Sequence, residues 1–279
     1  MALARRPGHL VTLAFVLALA AETVAAAPLK RVVSMNVCTD QLAMLIARDG
    51  QLHSVSYLAS DPDSSVLAAD AARYAVNHGL AEEVFLMQPD LVIAGTYTTR
   101  TTVSLLRRLG VRVEEFAPES AFDDVRMNIL RMGTILDRSE RATELIAVLD
   151  TGLEELRRNP AGGQTVATYY ANNFTSGSGT LVDAVIAATG LENLAARLGY
   201  AGTAQLPLEL LILAKPEILV DGGERYAAPA LAQQSFSHPA YRAIAEDAKR
   251  VDIPAKYTIC GSPFTLEAAR ILQGAANKP

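Results

Sequence analysis

The chain has no tryptophan, two cysteines and four histidines. Each shortage excludes something. A protein-bound zinc or similar ion needs three or four ligands, several of them closely spaced. His9 falls in a leader described below, and His53, His78 and His238 form no short-spaced pair; neither HExxH nor CxxC occurs. Direct coordination of a bare metal ion is therefore not expected, and no cofactor is. Ser176 to Thr180 (SGSGT) opens a helical pattern but lacks the lysine of a P-loop and the full dinucleotide fingerprint, so it reads as a helix cap. No nucleophile, base and oxyanion donor assemble into a recognisable set, so no enzyme is expected. Low-complexity tracts are missing too. The formal net charge of −5 argues against a general nucleic-acid or anionic-membrane binder.

What is present begins with a leader. Arg5 and Arg6 precede an apolar run, Leu10 to Ala21, and then the small-residue stretch TVAAA (Thr23–Ala27). This is the layout of a secretory signal peptide, assigned to residues 1–26, with cleavage after Ala25 or Ala26 because Pro28 disfavours a later cut. Twelve residues are too few for a membrane span, which takes about 20. The mature protein is expected to be soluble, exported and without membrane insertion.

Beyond the leader, short β-branched runs alternate with helical repeats. RVVSM, HSVSY, DLVIA and Val111–Phe116 read as strands, and Leu80–Gln88, Val103–Leu109 and Phe122–Leu136 as helices between or after them. The pattern restarts at TVATYY (Thr165–Tyr170), followed by a polar Gly/Ser loop at Asn172–Gly179, with later strands at Glu217–Val220 and Arg250–Ile253 and a last helix at Thr265–Gln273. Between the halves lies Asp137–Arg158, with Leu145, Ile146, Leu149, Leu153 and Leu156 on one helical face. Asp137 and Glu140 suggest a capping box at its start. Strand–helix alternation predicts an α/β fold of two Rossmann-like lobes with mostly parallel sheets, joined by one long backbone helix. The divisions are 27–136 for the first lobe, 137–159 for the helix and 160–279 for the second lobe.

An internal echo supports two related lobes. QPDLVIAG (Gln88–Gly95) and KPEILVDG (Lys215–Gly222) share a Pro-acid-apolar-run-Gly plan, and a glutamate lies seven residues before each proline, Glu82 and Glu209. Taken alone, these glutamates read as solvated helix residues. Tyr57, Tyr97, Phe174 and Tyr257 fall just past strand ends, where ligands sit in open α/β sheets; each is either ordinary packing or a wall of an apolar cleft. For Cys38 and Cys260 three readings stand: a structural disulfide, two buried thiols, or thiols facing a ligand.

The ordered set RVVSMNVCTDQLAML, LAEEVFLMQPDLVIAG, NNFTSGSGTLVDAVIAATGLENL, PLELLILAKPEILV and YTICGSPFTLEAARIL covers nearly all of the mature chain. It resembles the periplasmic substrate-binding proteins of ABC importers for cobalamin and ferric siderophores. The resemblance implies a ligand cleft between lobes that move little, because one continuous helix resists hinge motion. It further implies a periplasmic location, a metal chelate as ligand, an ABC permease and its ATPase as partners, and a monomer. Glu82 and Glu209 fall on the acidic docking positions that meet permease arginines. Cobalamin-binding relatives carry tryptophans around the corrin ring, whereas this chain offers Tyr57, Tyr97, Phe174 and Tyr257 there, with Cys38 and Cys260 on the cleft side. Cobalamin is the favoured ligand. A ferric siderophore or haem, or a sensory protein that binds without transport, are the alternatives.

Overall fold

Short apolar runs that are buried on both faces belong in parallel sheets covered by helices. The computed structural model, which describes residues 29–221 and 230–278, has that arrangement twice. In the first lobe, β1 (Val32–Ser34), β2 (Leu52–Ser56), β3 (Ala75–Asn77), β4 (Leu91–Gly95) and β5 (Val113–Phe116) form a parallel sheet in the order β3-β2-β1-β4-β5. Every residue of β1 and β4 is buried. Its helices are α1 (Val37–Ile46), α2 (Ala68–Ala71), α3 (Ala81–Leu86), α4 (Arg100–Arg108) and α5 (Phe122–Ile135).

The connecting helix is α6 (Ser139–Arg158), long enough to run about 30 Å. It buries Ala142, Leu145, Leu149, Leu153 and Leu156, the expected face except for Ile146, which stays half-exposed. That face packs on α5 of the first lobe and on two helices of the second, α7 (Leu181–Ala188) and α11 (Thr265–Ala276). One continuous core therefore crosses the lobe boundary, from Leu42 and Ile46 through Ile129, Leu149 and Leu153 to Val185, Leu266 and Ala269. Both ends of α6 are tied down. Arg138 and Arg141 donate to the Ile46 and Leu45 carbonyls at the end of α1, at 3.4 and 3.1 Å. The Gln273 amide of α11 donates to the Leu156 and Asn159 carbonyls, each at 2.9 Å, satisfying acceptors that a helix C-terminus leaves open.

In the second lobe, β6 (Thr165–Tyr169), β8 (Glu192–Asn193), β10 (Ile218–Asp221) and β11 (Lys249–Val251) form a parallel sheet in the order β11-β10-β6-β8. Beside it, β7 (Phe174–Ser176) and β9 (Thr203–Gln205) pair antiparallel. Helices α8 (Leu194–Arg197), α9 (Leu208–Ala214) and α10 (Pro239–Asp247) complete the lobe with α7 and α11.

The Pro-acid echo has a structural meaning. Gln88 and Lys215, each directly before its proline, both adopt left-handed backbone, with φ of 51° and 44°. The α region is disfavoured before proline, so the helix must end in that turn. The acid after the proline then ties the new strand to the first strand of its lobe. Asp90 accepts from the Lys30 and Arg31 amides at 2.8 and 3.0 Å, and Glu217 accepts from the Thr165 amide at 2.8 Å.

Two expectations need correction. The Asp137–Glu140 capping box does not form: α5 continues to Ile135, Asp137 becomes the left-handed residue of the turn between helices (φ 56°), and α6 starts at Ser139 without a side-chain cap. The polar stretch Asn172–Gly179 is not all loop, since Phe174–Ser176 forms β7. Thr180 does cap α7, its Oγ1 accepting from the Asp183 amide at 3.1 Å. The leader expected at residues 1–26 lies outside the described residues. Among the described residues no helix is long and apolar enough to cross a membrane.

Candidate functional site

Among the described residues, two cavities at strand ends lie beside the junction of the lobes. The larger, about 370 Å³, lies in the second lobe. Thr168 and Tyr170 at the end of β6, Val220 of β10, Val185 of α7, Phe236 and Ile259 are among its walls, so apolar groups dominate with a few hydroxyls among them. Its size and lining suit a small-molecule site, and it sits where open α/β sheets bind ligands. The smaller cavity, about 70 Å³, lies in the first lobe between Asn36, Cys38, Tyr97, Phe116 and Glu119.

A seam joins the two. Cys38, in the first turn of α1, is disulfide-bonded to Cys260, which precedes α11, with Cα atoms 5.0 Å apart. Cys38 lines the first-lobe cavity, and Ile259, next to Cys260, lines the second. Beside the disulfide, the Glu119 carboxylate accepts from the Gly261 amide at 3.1 Å and from the Asn128 amide at 2.6 Å. Burial raises the Glu119 pKa, while these two donors pull it the other way. Only glycine fits at 261, because a Cβ there would meet Glu119 Cγ at 2.6 Å and Val125 Cγ2 at 2.7 Å. The lobes are thus held by a covalent bond, a hydrogen bond and the core around α6.

Behind the first-lobe cavity is a buried polar network. The Asp40 carboxylate of α1 accepts from the Ser56 amide at 3.1 Å and from the Ser56 hydroxyl. Asn77 donates to the Ser34 carbonyl and the Ser54 hydroxyl at 2.8 and 2.9 Å. Desolvation pushes the Asp40 pKa up to about 7, outweighing its hydrogen bonds. The network fixes α1, and with it Cys38, against the end of β2, where Tyr57 begins.

Comparison with known proteins agrees with the two-lobed α/β fold. The family model described as "periplasmic binding protein" matches residues 32–247, most of both lobes. The chain belongs to the periplasmic binding protein family. The periplasmic binding protein family is one of substrate-binding receptors, not of enzymes. A "cobalamin-binding protein" of Halobacterium salinarum is 25% identical over 146 residues, which is 50% of this chain and 40% of that protein. The chain therefore matches less than half the length of that relative. The apo form of the periplasmic heme-binding protein RhuT from Roseiflexus sp. RS-1 superposes with a TM-score of 0.70 at 21% identity, covering 88% of this chain and 97% of that one. The periplasmic vitamin B12 binding protein BtuF of Vibrio cholerae gives 0.66 at 17% identity, over 89% and 97%. At these identities the two structures speak for the fold.

Of the residues singled out from the sequence, Cys38 and Tyr97 meet at the first-lobe cavity, Tyr97 with 88% of its surface exposed. Tyr57 lines neither cavity. It stacks on His78, ring centroids 5.7 Å apart, on the exposed rim of the first lobe. Phe174 is exposed on β7, and Tyr257 is half-buried against the core around α6. Cys260 is buried and lines neither cavity; its thiol is consumed by the disulfide, so the free-thiol readings do not hold. Sequence reasoning missed Tyr170, Phe236 and Ile259. Tyr170 follows a strand end and obeys the rule that found Tyr57, whereas Val185 looks like ordinary core. Glu82 and Glu209 lie exposed in the first turns of α3 and α9, with no ion pair among the described residues.

Proposed function

We propose that the chain is the exported solute receptor of an ABC importer, carrying a metal chelate, with cobalamin first, between its lobes. The observation that carries this reading is the apolar cavity at the second lobe's strand ends, whose wall residue Ile259 adjoins the disulfide that joins the lobes. A cavity of about 370 Å³ takes one edge of a large, partly planar ligand, and the exposed Tyr97 of the first lobe supplies an aromatic group for the other side. The similarity to a cobalamin-binding protein over half the chain supports the choice of ligand. Haem is the second reading, favoured by the exposed Tyr57–His78 pair, because a phenol and an imidazole both serve as axial ligands to haem iron. A ferric siderophore is the third member of the same ligand class.

In this account residues 1–26 are removed on export, and the lobes span 27–136 and 160–279 of a monomer. Glu82 and Glu209, one per lobe, dock on basic groups of the permease, which releases the ligand with its ATPase. Exposed carboxylates give orientation and encounter rate more than affinity.

A chain without tryptophan is dark in the tryptophan window, which makes a reporter simple. Ile259→Trp puts a single indole on the wall of the larger cavity. Cobalamin and haem absorb its emission, so saturable quenching after inner-filter correction is the expected result. Linear, non-saturating loss of signal with cobalamin, haem and a ferric hydroxamate alike refutes the cavity as the ligand site.

A further inference from the structure

The repeated unit that carries Glu82 and Glu209 carries a second feature. Four residues after each glutamate stands a leucine, Leu86 and Leu213, and these are 79% and 77% exposed. A separation of four places glutamate and leucine side by side on one helix face. The repeat extends on both sides. Exposed Leu80 and Pro207 lie two residues before the glutamates, and exposed Phe85 and half-buried Ile212 three residues after them. Pro89 and Pro216 follow at seven, behind the left-handed residues Gln88 and Lys215. Asp90 and Glu217 then anchor each unit to the first strand of its lobe. The same backbone turn therefore presents the same pair of groups, a carboxylate with no ion pair among the described residues and a bare isobutyl group, at one place on each lobe. Scattered exposed leucines need no explanation. Two at equivalent positions beside such acids do.

We infer that Leu86 and Leu213 are the affinity anchors of a two-point plug, each entering an apolar socket that lies beside a basic side chain on the importer's membrane permease. This rests on the permease-docking reading of Glu82 and Glu209. The partner's chemistry follows from the unit: a carboxylate with no ion pair among the described residues calls for a cation, and the adjacent leucine for an apolar recess. Two such units on one monomer call for a partner that offers the same site twice, as a dimer with a two-fold axis does. The division of labour follows from the surroundings. Solvated acid pairs steer and orient, while burial of apolar side chains at the centre of an interface supplies most of the affinity.

The test measures binding of the labelled mature protein to membrane vesicles of the source organism at low and high salt. Wild type is compared with E82Q/E209Q, L86Q/L213Q and L231Q, the last a control leucine that is 90% exposed but outside the repeat. A photo-crosslinking residue is also placed at 86 and, separately, at 213. Far-UV circular dichroism confirms that each variant folds. The expected result is a loss on the order of 100-fold for the leucine pair at both salt concentrations, about tenfold per anchor. The glutamate pair should lose the salt dependence, the control should match wild type, and both crosslinks should map to one multi-spanning permease. If the leucine pair binds like wild type while the glutamate pair fails, the leucine inference falls and the docking reading stands. If neither pair alters binding, or wild type does not bind, the docking reading falls and takes the inference with it. Crosslinks to a soluble protein or to a second copy of this chain overturn the inference as well.

Discussion

Reducing the Cys38–Cys260 disulfide should cost this receptor a large part of its stability. The bond closes a loop over a sequence separation of 222, and the chain-entropy relation for a loop of that length gives about 5 kcal/mol at 25 °C. The two sulfurs lie in different lobes, so the constraint acts between the units that α6 already joins. For a chain of this size each kcal/mol moves the thermal midpoint by about 2–4 °C, so reduction should lower it by about 10–20 °C. The assay is thermal unfolding followed by far-UV circular dichroism, with and without a phosphine reductant, on wild type and on Cys38→Ser/Cys260→Ser. The double variant should match reduced wild type and ignore the reductant. Thiol counting in denaturant should find none before reduction and two after. Midpoints for oxidised and reduced protein within about 2 °C of each other would refute the reasoning, because core packing would then hold the lobes without the bond.

Three further outcomes follow from the same geometry. Asp40, with its pKa raised from 3.8 to about 7, binds its proton more tightly folded than unfolded, so stability should rise as pH falls from 7 to 4 and be flat above that window. The window is worth at most about 4 kcal/mol at roughly 1.4 kcal/mol per unit; Asp40→Asn should remove that slope in urea titrations at pH 5, 6 and 7.5, and an unchanged slope would contradict the assignment. Gly261→Val should destabilise by about 1–3 kcal/mol, because its side chain strikes Glu119 and Val125, and a midpoint equal to wild type would show that the seam is loose. Glu82→Arg with Glu209→Arg should leave ligand affinity within about twofold of wild type and abolish uptake, since both acids lie on α3 and α9 and line neither cavity; normal uptake in that variant would remove the docking assignment.

Much of this architecture was legible because it follows local rules. Buried parallel strands such as LVIAG read as continuous apolar runs, the face of α6 as a 3.6-residue repeat, and the Pro-acid echo as a turn used twice. Where the sequence misled, the deciding contact was not local. Asp137-x-x-Glu140 has the spacing of a capping box, but the end of α5 occupies that turn. The strand β7 hides in a glycine- and serine-rich stretch because its partner β9 is contributed by residues 203–205. The disulfide depended on a distance between lobes that spacing along the chain cannot supply. The candidate site was half legible. Tyr97 and Cys38 lie on the first-lobe cavity, while the larger one is walled by Val185, Val220 and Phe236, apolar residues that cannot be told from core until the gap between them is seen.

The central claim is that one metal chelate binds between the lobes, and isothermal titration calorimetry on the mature protein tests it most directly. Cobalamin, haem, a ferric hydroxamate and a ferric catecholate are titrated in turn. The account predicts saturable binding at one ligand per chain, micromolar or tighter, for at least one of the four and for cobalamin first. It also predicts a loss of that binding when Ala255, on the wall of the larger cavity, is replaced by tryptophan to fill it. Absence of binding heat from all four, at two temperatures so that a zero enthalpy is not mistaken for no binding, would contradict the claim.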